Sequence, residues 1–370
     1  MILKKLSLRN FRNYESIDLC FDNGIHILVG DNAQGKTNLL EAVSYLSTTR
    51  SHRCHDDQRL IKEGEEAFVI RSAIERNQKQ MDLRVALNEQ GKNLFLYQTV
   101  IKRVSDFIGE FNAVLFCPDD MALFQASPRV RRRFIDMELS KLSKAYTRVL
   151  NEAGKLLKER NAVLKQDHID FTYLGILDEQ LIEKQAVIIS QRQRFLCDLL
   201  AHCSAFYERL SADHTSLSFQ YHSCVAYSDD IEEIKERLRK KYEKNRERDC
   251  FLKQTTTGIH KEDFMFLING KELCDYASQG QKRSVLLALK IGIVHMIYDL
   301  TGEYPVLLLD DVFSELDEKR RGMLLCSLPP EVQVFISTTD LKEIPMLEDR
   351  NYIVWKVAHG TLSCMRQRRT

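Results

Sequence analysis

The first residues with recognisable chemistry in this 370-residue chain are the run Gly30-Asp31-Asn32-Ala33-Gln34-Gly35-Lys36-Thr37. Two glycines let a loop curl until its N–H groups point inward at phosphate oxygens. Lys36 then follows to reach the β- and γ-phosphates, and the Thr37 hydroxyl to hold Mg²⁺. An apolar run, Ile25 to Val29, precedes the loop, and Asn38-Leu39-Leu40-Glu41-Ala42-Val43 continues it as a helix. The helix N-terminus adds unpaired N–H donors and a partial positive charge. Strand, glycine-rich turn and helix together predict a P-loop that binds a nucleotide.

A second centre lies near the other end. Val306-Leu307-Leu308-Leu309-Asp310-Asp311 is an apolar run ending in two carboxylates. As a buried strand it puts Asp310 beside Lys36 and Thr37, where it holds Mg²⁺ through water, and lets Asp311 orient an attacking water. The competing reading is a core strand capped by a solvated acid pair. Upstream, Ser278-Gln279-Gly280-Gln281 precedes a helix starting near Lys282, and downstream lies Ser314-Glu315-Leu316-Asp317. A polar, glycine-containing turn at a helix start is a second phosphate-seeking device. Two such devices fit one nucleotide most simply if each P-loop faces the serine-glycine turn of a second copy, although serine before a helix is also an ordinary N-cap.

The elements that must position these groups follow from periodicity. Residues 2–8, 14–21 and 24–29 suggest strands, and 36–47 a helix. Alternation over 66–76, 80–88 and 92–98 predicts an antiparallel meander, and 113–116 a short buried strand. After Ser127-Pro128, apolar residues recur at three and four, predicting helices over about 129–165 and 176–210 that form an antiparallel hairpin about 50 Å long. A strand over 215–227, a charged helix over 229–252 and a hairpin at Asn269-Gly270 follow. The chemistry resumes after this arm. The expected division is therefore 1–126 as the first part of an α/β head, 127–254 as an inserted helical arm, and 255–370 as the rest of the head.

Bulk composition narrows the class. The chain is 44% hydrophobic and 29% charged with a net charge of +1, as in an ordinary soluble protein, so a nucleic-acid partner must be met by local patches. Ten cysteines without a C-x-x-C pair argue against a zinc ribbon or a disulfide framework, and His52-Arg53-Cys54-His55 has no metal-site spacing. Reduced cysteines, charges in the opening residues and no unbroken apolar span predict a cytoplasmic protein without a membrane segment.

Taken together, the motifs resemble the ABC-type ATPases of the structural-maintenance-of-chromosomes class, and within it the RecF family. The resemblance rests on LSLRNFRNYES at 6–16, GDNAQGKTNLLEA at 30–42, SPRVRRRFIDMEL at 127–139 and LKERNAVLK at 157–165. It continues through TTTGIHKEDF at 255–264, SQGQKRSVLLALK at 278–290 and LLLDDVFSELDEKRR at 307–321. It implies an ABC-type head, with a mixed sheet and an antiparallel β lobe, and a short arm in place of a long coiled coil. It further implies ATP binding and slow Mg²⁺-dependent hydrolysis by Lys36, Thr37, Asp310 and Asp311. Ser278, Gly280 and Gln281 would contact the γ-phosphate across an ATP-dependent homodimer, with Asp317 at that interface and Arg12 near the nucleotide in cis. The implied role is in DNA replication, repair and the SOS response: clamping double-stranded DNA at single-strand/duplex junctions and recruiting RecR, with RecO, to load RecA. The carboxylate after Asp310 is aspartate rather than glutamate, and Ser337-Thr338-Thr339-Asp340 has no switch histidine. Asp119 or Asp120 occupies the region where a metal-contacting glutamine is usual.

Duplex contact needs basic residues more than anything else. Three clusters qualify: Arg129 to Arg133, Lys235 to Arg248 with eight Lys/Arg, and Arg366 to Arg369. Arg131, Arg132 and Arg133 are the candidates for DNA, against a structural ion pair with Asp136 or Glu138. For 235–248, with interleaved glutamates, a solvated helix face is the stronger reading. Other functions compete: the ATPase subunit of another ABC-type DNA-maintenance complex, a transport ATPase subunit, a P-loop kinase that would not need Ser278–Gln281, or a structural protein with a vestigial site.

Overall fold

The computed structural model describes residues 1–211, 215–344 and 350–368. The chain divides into two compact units. One comprises the described residues of Met1–Met121, His202–His214 and Arg283–Thr370, the other Ala122–Ala201 and Thr215–Lys282.

The first unit, the head, is built on two six-stranded sheets. Its strands are β1 (Ile2–Phe11), β2 (Tyr14–Cys20), β3 (Ile25–Val29), β4 (Phe68–Arg76), β5 (Lys79–Asn88), β6 (Gly91–Leu96), β7 (Thr99–Ile101) and β8 (Ala113–Phe116). The antiparallel sheet runs β2-β1-β4-β5-β6-β7, so the predicted meander is present and is extended by the first two strands. The second sheet is mixed, and its C-terminal strands complete it after the arm.

The arm contains β9 (Leu217–His222), β10 (Asp263–Ile268) and β11 (Lys271–Glu272) in a small antiparallel sheet ordered β11-β10-β9. The remaining head strands are β12 (Val306–Asp310), β13 (Val334–Thr338), β14 (Tyr352–Ala358) and β15 (Thr361–Arg368). The mixed sheet runs β15-β14-β3-β13-β12-β8, with only β15 antiparallel. Its central strands β12 and β13 are buried along their whole length, as parallel strands covered on both faces must be.

Helix α1 (Lys36–Thr48) follows β3, and nearly all its residues are buried. The arm helices are α2 (Pro128–Leu142), α3 (Lys144–Leu164), α4 (Phe171–Leu210), whose residues from His202 onward belong to the head unit, and α5 (Ile231–Leu252). The single helix predicted over 129–165 is thus two. At Ser143 the backbone is extended (φ −141°, ψ 107°) and the side chain caps the next helix by accepting from Tyr146 N. A serine that competes for local N–H groups breaks a helix even where apolar spacing continues through it. Helix α6 (Gln279–Thr301) is long and apolar enough in composition to cross a membrane, but it is largely buried within the fold. Helix α7 (Glu318–Ser327) follows β12.

The boundaries read from the sequence put the return to the head at residue 255. The compact units divide instead between Lys282 and Arg283, because β10 pairs with β9 in the arm's own sheet. Alternation identifies a strand but not its partner.

Candidate nucleotide site

Register in the mixed sheet brings the two motifs together. Asp310 of β12 lies opposite Ser337 of β13, and Ser337 lies opposite Leu28 of β3, immediately before the glycine-rich loop. Adjacent strands are about 4.8 Å apart. Three parallel strands therefore present the loop, Ser337 and Asp310 in one row at their C-terminal ends.

The loop itself is shaped by its glycines. Gly35 has φ +118°, a conformation that side chains resist, and it is the N-cap of α1. At Gly30 a Cβ would fall 2.3 Å from the Val357 carbonyl oxygen of β14, so only glycine admits the loop at that point. Tyr14 donates to Gly35 O at 3.0 Å and Asn13 to Gln34 O at 3.1 Å. His359 N donates to the Gln34 side chain at 2.7 Å. Asp31, Asn32 and Ala33 remain exposed at the crest.

Lys36 is almost buried, at 7% exposed, and folds back onto its own loop, donating to Gly30 O at 2.5 Å and Asp31 O at 2.8 Å. Burial depresses its pKa, opposed by the charges of Asp311, Asp310 and Asp31. An ammonium held, among the described residues, by two carbonyls and no salt-bridging carboxylate is suited to an incoming anion.

Thr37 Oγ1 donates to Asp310 Oδ1 at 3.0 Å, and Ser337 Oγ donates to the same oxygen at 2.7 Å. Ser337 Oγ also accepts from Asp311 N at 2.9 Å. Asp311 has φ +52°, an unusual conformation for a non-glycine residue. In the sequence Ser337 stands out only as the start of the Ser337–Asp340 stretch that has no switch histidine, at the end of the apolar run next in order to Val306–Asp310; nothing there marks it as a partner of Asp310. The donor set suits Mg²⁺, which favours a hydroxyl and one carboxylate completed by phosphate and water. Among the described residues there is no cluster of three or more His, Cys, Asp or Glu that could hold a metal by itself.

A polar brace stands behind α1. Glu41, fully buried, accepts from Arg12 Nε and Nη2 at 2.9 Å each and from Ser51 Oγ at 2.5 Å. Burial would raise the Glu41 carboxyl, but these bonds outweigh it and hold it below the usual range. Arg12 Nη1 also donates to Arg59 O at 3.1 Å. The guanidinium that the resemblance puts near the nucleotide is thus chiefly a brace for the P-loop helix. Asn38 is tied to Asn13 at 2.8 Å and accepts from Arg53 at 3.0 Å. Asp120 is engaged with Cys117 N at 2.9 Å and Lys290 Nζ at 3.0 Å, while Asp119 is exposed.

Ser278, Gly280 and Gln281 belong to the second compact unit. Ser278 N donates to Gln281 Oε1 at 2.9 Å and Gln281 N donates to Ser278 Oγ at 3.2 Å, a reciprocal capping box on α6. Ser278 is nonetheless exposed. Asp317 caps α7 by accepting from Arg320 N at 2.8 Å.

The basic cluster at the start of the arm requires a correction. Arg131 is in a bidentate pair with Asp263, at 2.7 and 2.5 Å, and also donates to Ala126 O. Arg132 donates to Glu262 O, and Arg133 is half-buried. Arg131 and Arg132 are therefore engaged within the arm. A structural ion pair was the competing reading, but its partner is Asp263 rather than Asp136 or Glu138. Asp136 instead holds the buried Arg192, at 2.9 Å to each carboxylate oxygen. Of the tail, Arg366 and Arg368 end β15 and Arg369 lies outside the described residues.

Known proteins are similar to this chain along nearly its whole length. A sequence profile of the RecF/RecN/SMC N terminal domain matches residues 2–363. The DNA replication and repair protein RecF of Lactobacillus johnsonii is 36% identical over 370 residues, covering 98% of this chain and 99% of that protein. The RecF of Streptococcus gordonii is 38% identical over 363 residues, covering 98% and 100%. Among solved structures, the recombination mediator protein RecF with ATP, of the RecFOR pathway, superposes with a TM-score of 0.90 at 32% identity, covering 98% of this chain and 99% of that one. The Smc head domain of Pyrococcus furiosus, bound to the C-terminal domain of ScpA, matches at a TM-score of 0.55 and 15% identity over 98% and 95% of the two chains, a likeness of fold alone.

Proposed function

Because the chain belongs to the RecF family of the RecF/RecN/SMC group, we propose that it is an ATP-dependent DNA-binding ATPase of replication and recombinational repair. The observation that carries this reading is the meeting of Thr37, Asp310 and Ser337 beside the loop that holds Lys36.

Lys36 exchanges its two loop carbonyls for β- and γ-phosphate oxygens, aided by the N–H groups from Asp31 to Thr37 and by Asn38 at the start of α1. Thr37 and Asp310 hold Mg²⁺, with Ser337 keeping the carboxylate aimed. Bound Mg²⁺ supplies neutralisation of the charge that develops on the phosphates. Asp311 accepts a hydrogen bond from the attacking water and orients it. With an aspartate there and no histidine after β13, hydrolysis is slow, which suits a timed clamp better than a motor.

The exposed Ser278–Gln281 turn completes the site of a second copy, where Ser278, Gly280 and Gln281 reach the γ-phosphate and Asp317 lies at the interface. The ATP-bound dimer then clamps duplex DNA at single-strand junctions in the cytoplasm and engages RecR with RecO to promote RecA loading. This reading is supported by a family whose relatives are named DNA replication and repair proteins and by a RecF solved with ATP. Equilibrium binding of a fluorescent ATP analogue to wild type, Lys36→Met and Asp310→Asn tests the nucleotide site. Wild type binds tightly with Mg²⁺ and both variants lose that Mg²⁺-dependent gain. Equal binding by all three refutes it.

A further inference from the structure

The cations of α5 fall into two sets that the sequence alone could not separate. Lys235 pairs with Glu183 and Glu232, Arg239 with Glu179, Lys240 with Glu236, and Arg246 with Asp178. Three of these four bind carboxylates of α4, so they hold the arm together. Lys241, Lys244 and Arg248 are exposed, and among the described residues they have no hydrogen-bond or ion-pair partner.

These three lie on one line. At 100° per residue, positions 237, 241, 244 and 248 fall within about 60° of one another around the helix, spaced over roughly 16 Å along its axis. The buried side chains Ile234, Leu238, Tyr242 and Asp249 occupy the neighbouring face, so the stripe borders the packed side of the helix. Glu236, Glu243 and Glu247 fall well outside that arc. Arg237 heads the stripe, its charge shared with Glu233 at 2.9 Å while it donates to Ala226 O and Tyr227 O. Beside Arg237 and Lys241 an open groove of about 530 Å³ runs along residues 221–227, and no Asp or Glu lines it.

We infer that the Arg237–Lys241–Lys244–Arg248 face of the arm is a contact surface for the sugar-phosphate backbone of duplex DNA. The inference rests on the DNA-binding reading above and assigns it a site, in place of Arg131 and Arg132. Three unpaired cations, Lys241, Lys244 and Arg248, with no acid between them and the Glu233-paired Arg237 at their head, complement a row of phosphates, and they read no base. Binding there is sequence-independent and falls steeply with salt.

The experiment is fluorescence anisotropy of a labelled duplex with full-length protein, ATP and Mg²⁺ over a salt series. Lys241→Gln/Lys244→Gln/Arg248→Gln is compared with wild type, with Lys241→Arg/Lys244→Arg, and with Lys240→Gln, whose cation is paired. Three lost phosphate contacts lower the slope of log K against log salt by about 2.7. The expected result is that drop for the triple glutamine variant, with at least tenfold weaker binding at low salt, while the arginine double variant and Lys240→Gln stay at wild type. Thermal melting verifies that the triple variant is folded. A triple variant with the wild-type slope overturns the assignment and leaves the stripe to solvation or to an acidic protein surface. A wild type that binds no duplex at any salt overturns the underlying DNA reading as well.

Discussion

Thr37 and Asp310 stand 273 positions apart in the chain, yet the hydroxyl of one donates to the carboxylate of the other at 3.0 Å. The parallel register β3-β13-β12 makes that meeting obligatory, and Ser337 on the middle strand supports it. The proposed role of the pair is to share a cation. Asp310→Asn keeps the shape and an acceptor oxygen, so melting is expected to shift little. ATP hydrolysis falls by on the order of 10²-fold. A variant that hydrolyses ATP at the wild-type rate refutes the role given to Asp310.

Gly30 gives a steric prediction. Alanine there drives a methyl group into the Val357 carbonyl, 2.3 Å from the ideal Cβ position. Gly30→Ala is expected to cost about 1–3 kcal/mol of stability and to weaken nucleotide binding by displacing the loop from β14. Chemical denaturation and nucleotide titration on the same sample check both parts. Wild-type values for both contradict the close approach.

Ser278 separates a cap from a contact. Ser278→Ala removes the hydroxyl bonded to Gln281 N and is expected to cost about 1 kcal/mol. Ser278→Arg loses the same cap and adds bulk at the turn proposed to meet the partner's nucleotide. It should bind ATP as wild type does yet show no ATP-dependent change in mass. If it dimerises normally, the turn is only the helix cap that its geometry already satisfies.

His26 sets a pH dependence. It is buried against Phe335, Phe21 and Trp355, with its Nε2 on Asp22 O and its Nδ1 facing Trp355 Nε1. Burial pushes its pKa down to about 4, from 6.5. The unfolded chain therefore binds a proton more readily than the folded one. Its contribution is intact above pH 6.5 and is lost as pH falls from 6.5 towards 4, by roughly 3 kcal/mol in all. Denaturation at a series of pH values should show this slope in wild type and a shallower one in His26→Gln. Identical slopes contradict a neutral buried imidazole.

Local chemistry made much of the site legible in the sequence. Gly30 to Thr37 and Val306 to Asp311 announce themselves because short-range spacing and hydrophobicity are all that a P-loop and a buried parallel strand require. What escaped depends on partners distant in the chain. Arg131 reads as a surface cation until Asp263, 132 residues later, closes on it. Ser337 has no signature of its own, and its part follows only from the strand order. The eight cations between Lys235 and Arg248 look alike in the sequence, and only the packing of α5 on α4 divides braces from free charges. Ser143 broke the predicted long helix by a backbone choice that apolar periodicity does not encode.

The proposed nucleotide site shared by two copies is tested most directly by the molar mass in solution. Wild type and Lys36→Met are to be measured by light scattering, each with and without ATP and Mg²⁺. Wild type is expected to double its mass only with ATP, and Lys36→Met never to do so. ATP that binds wild type without changing its mass, even with duplex DNA present, contradicts the shared site.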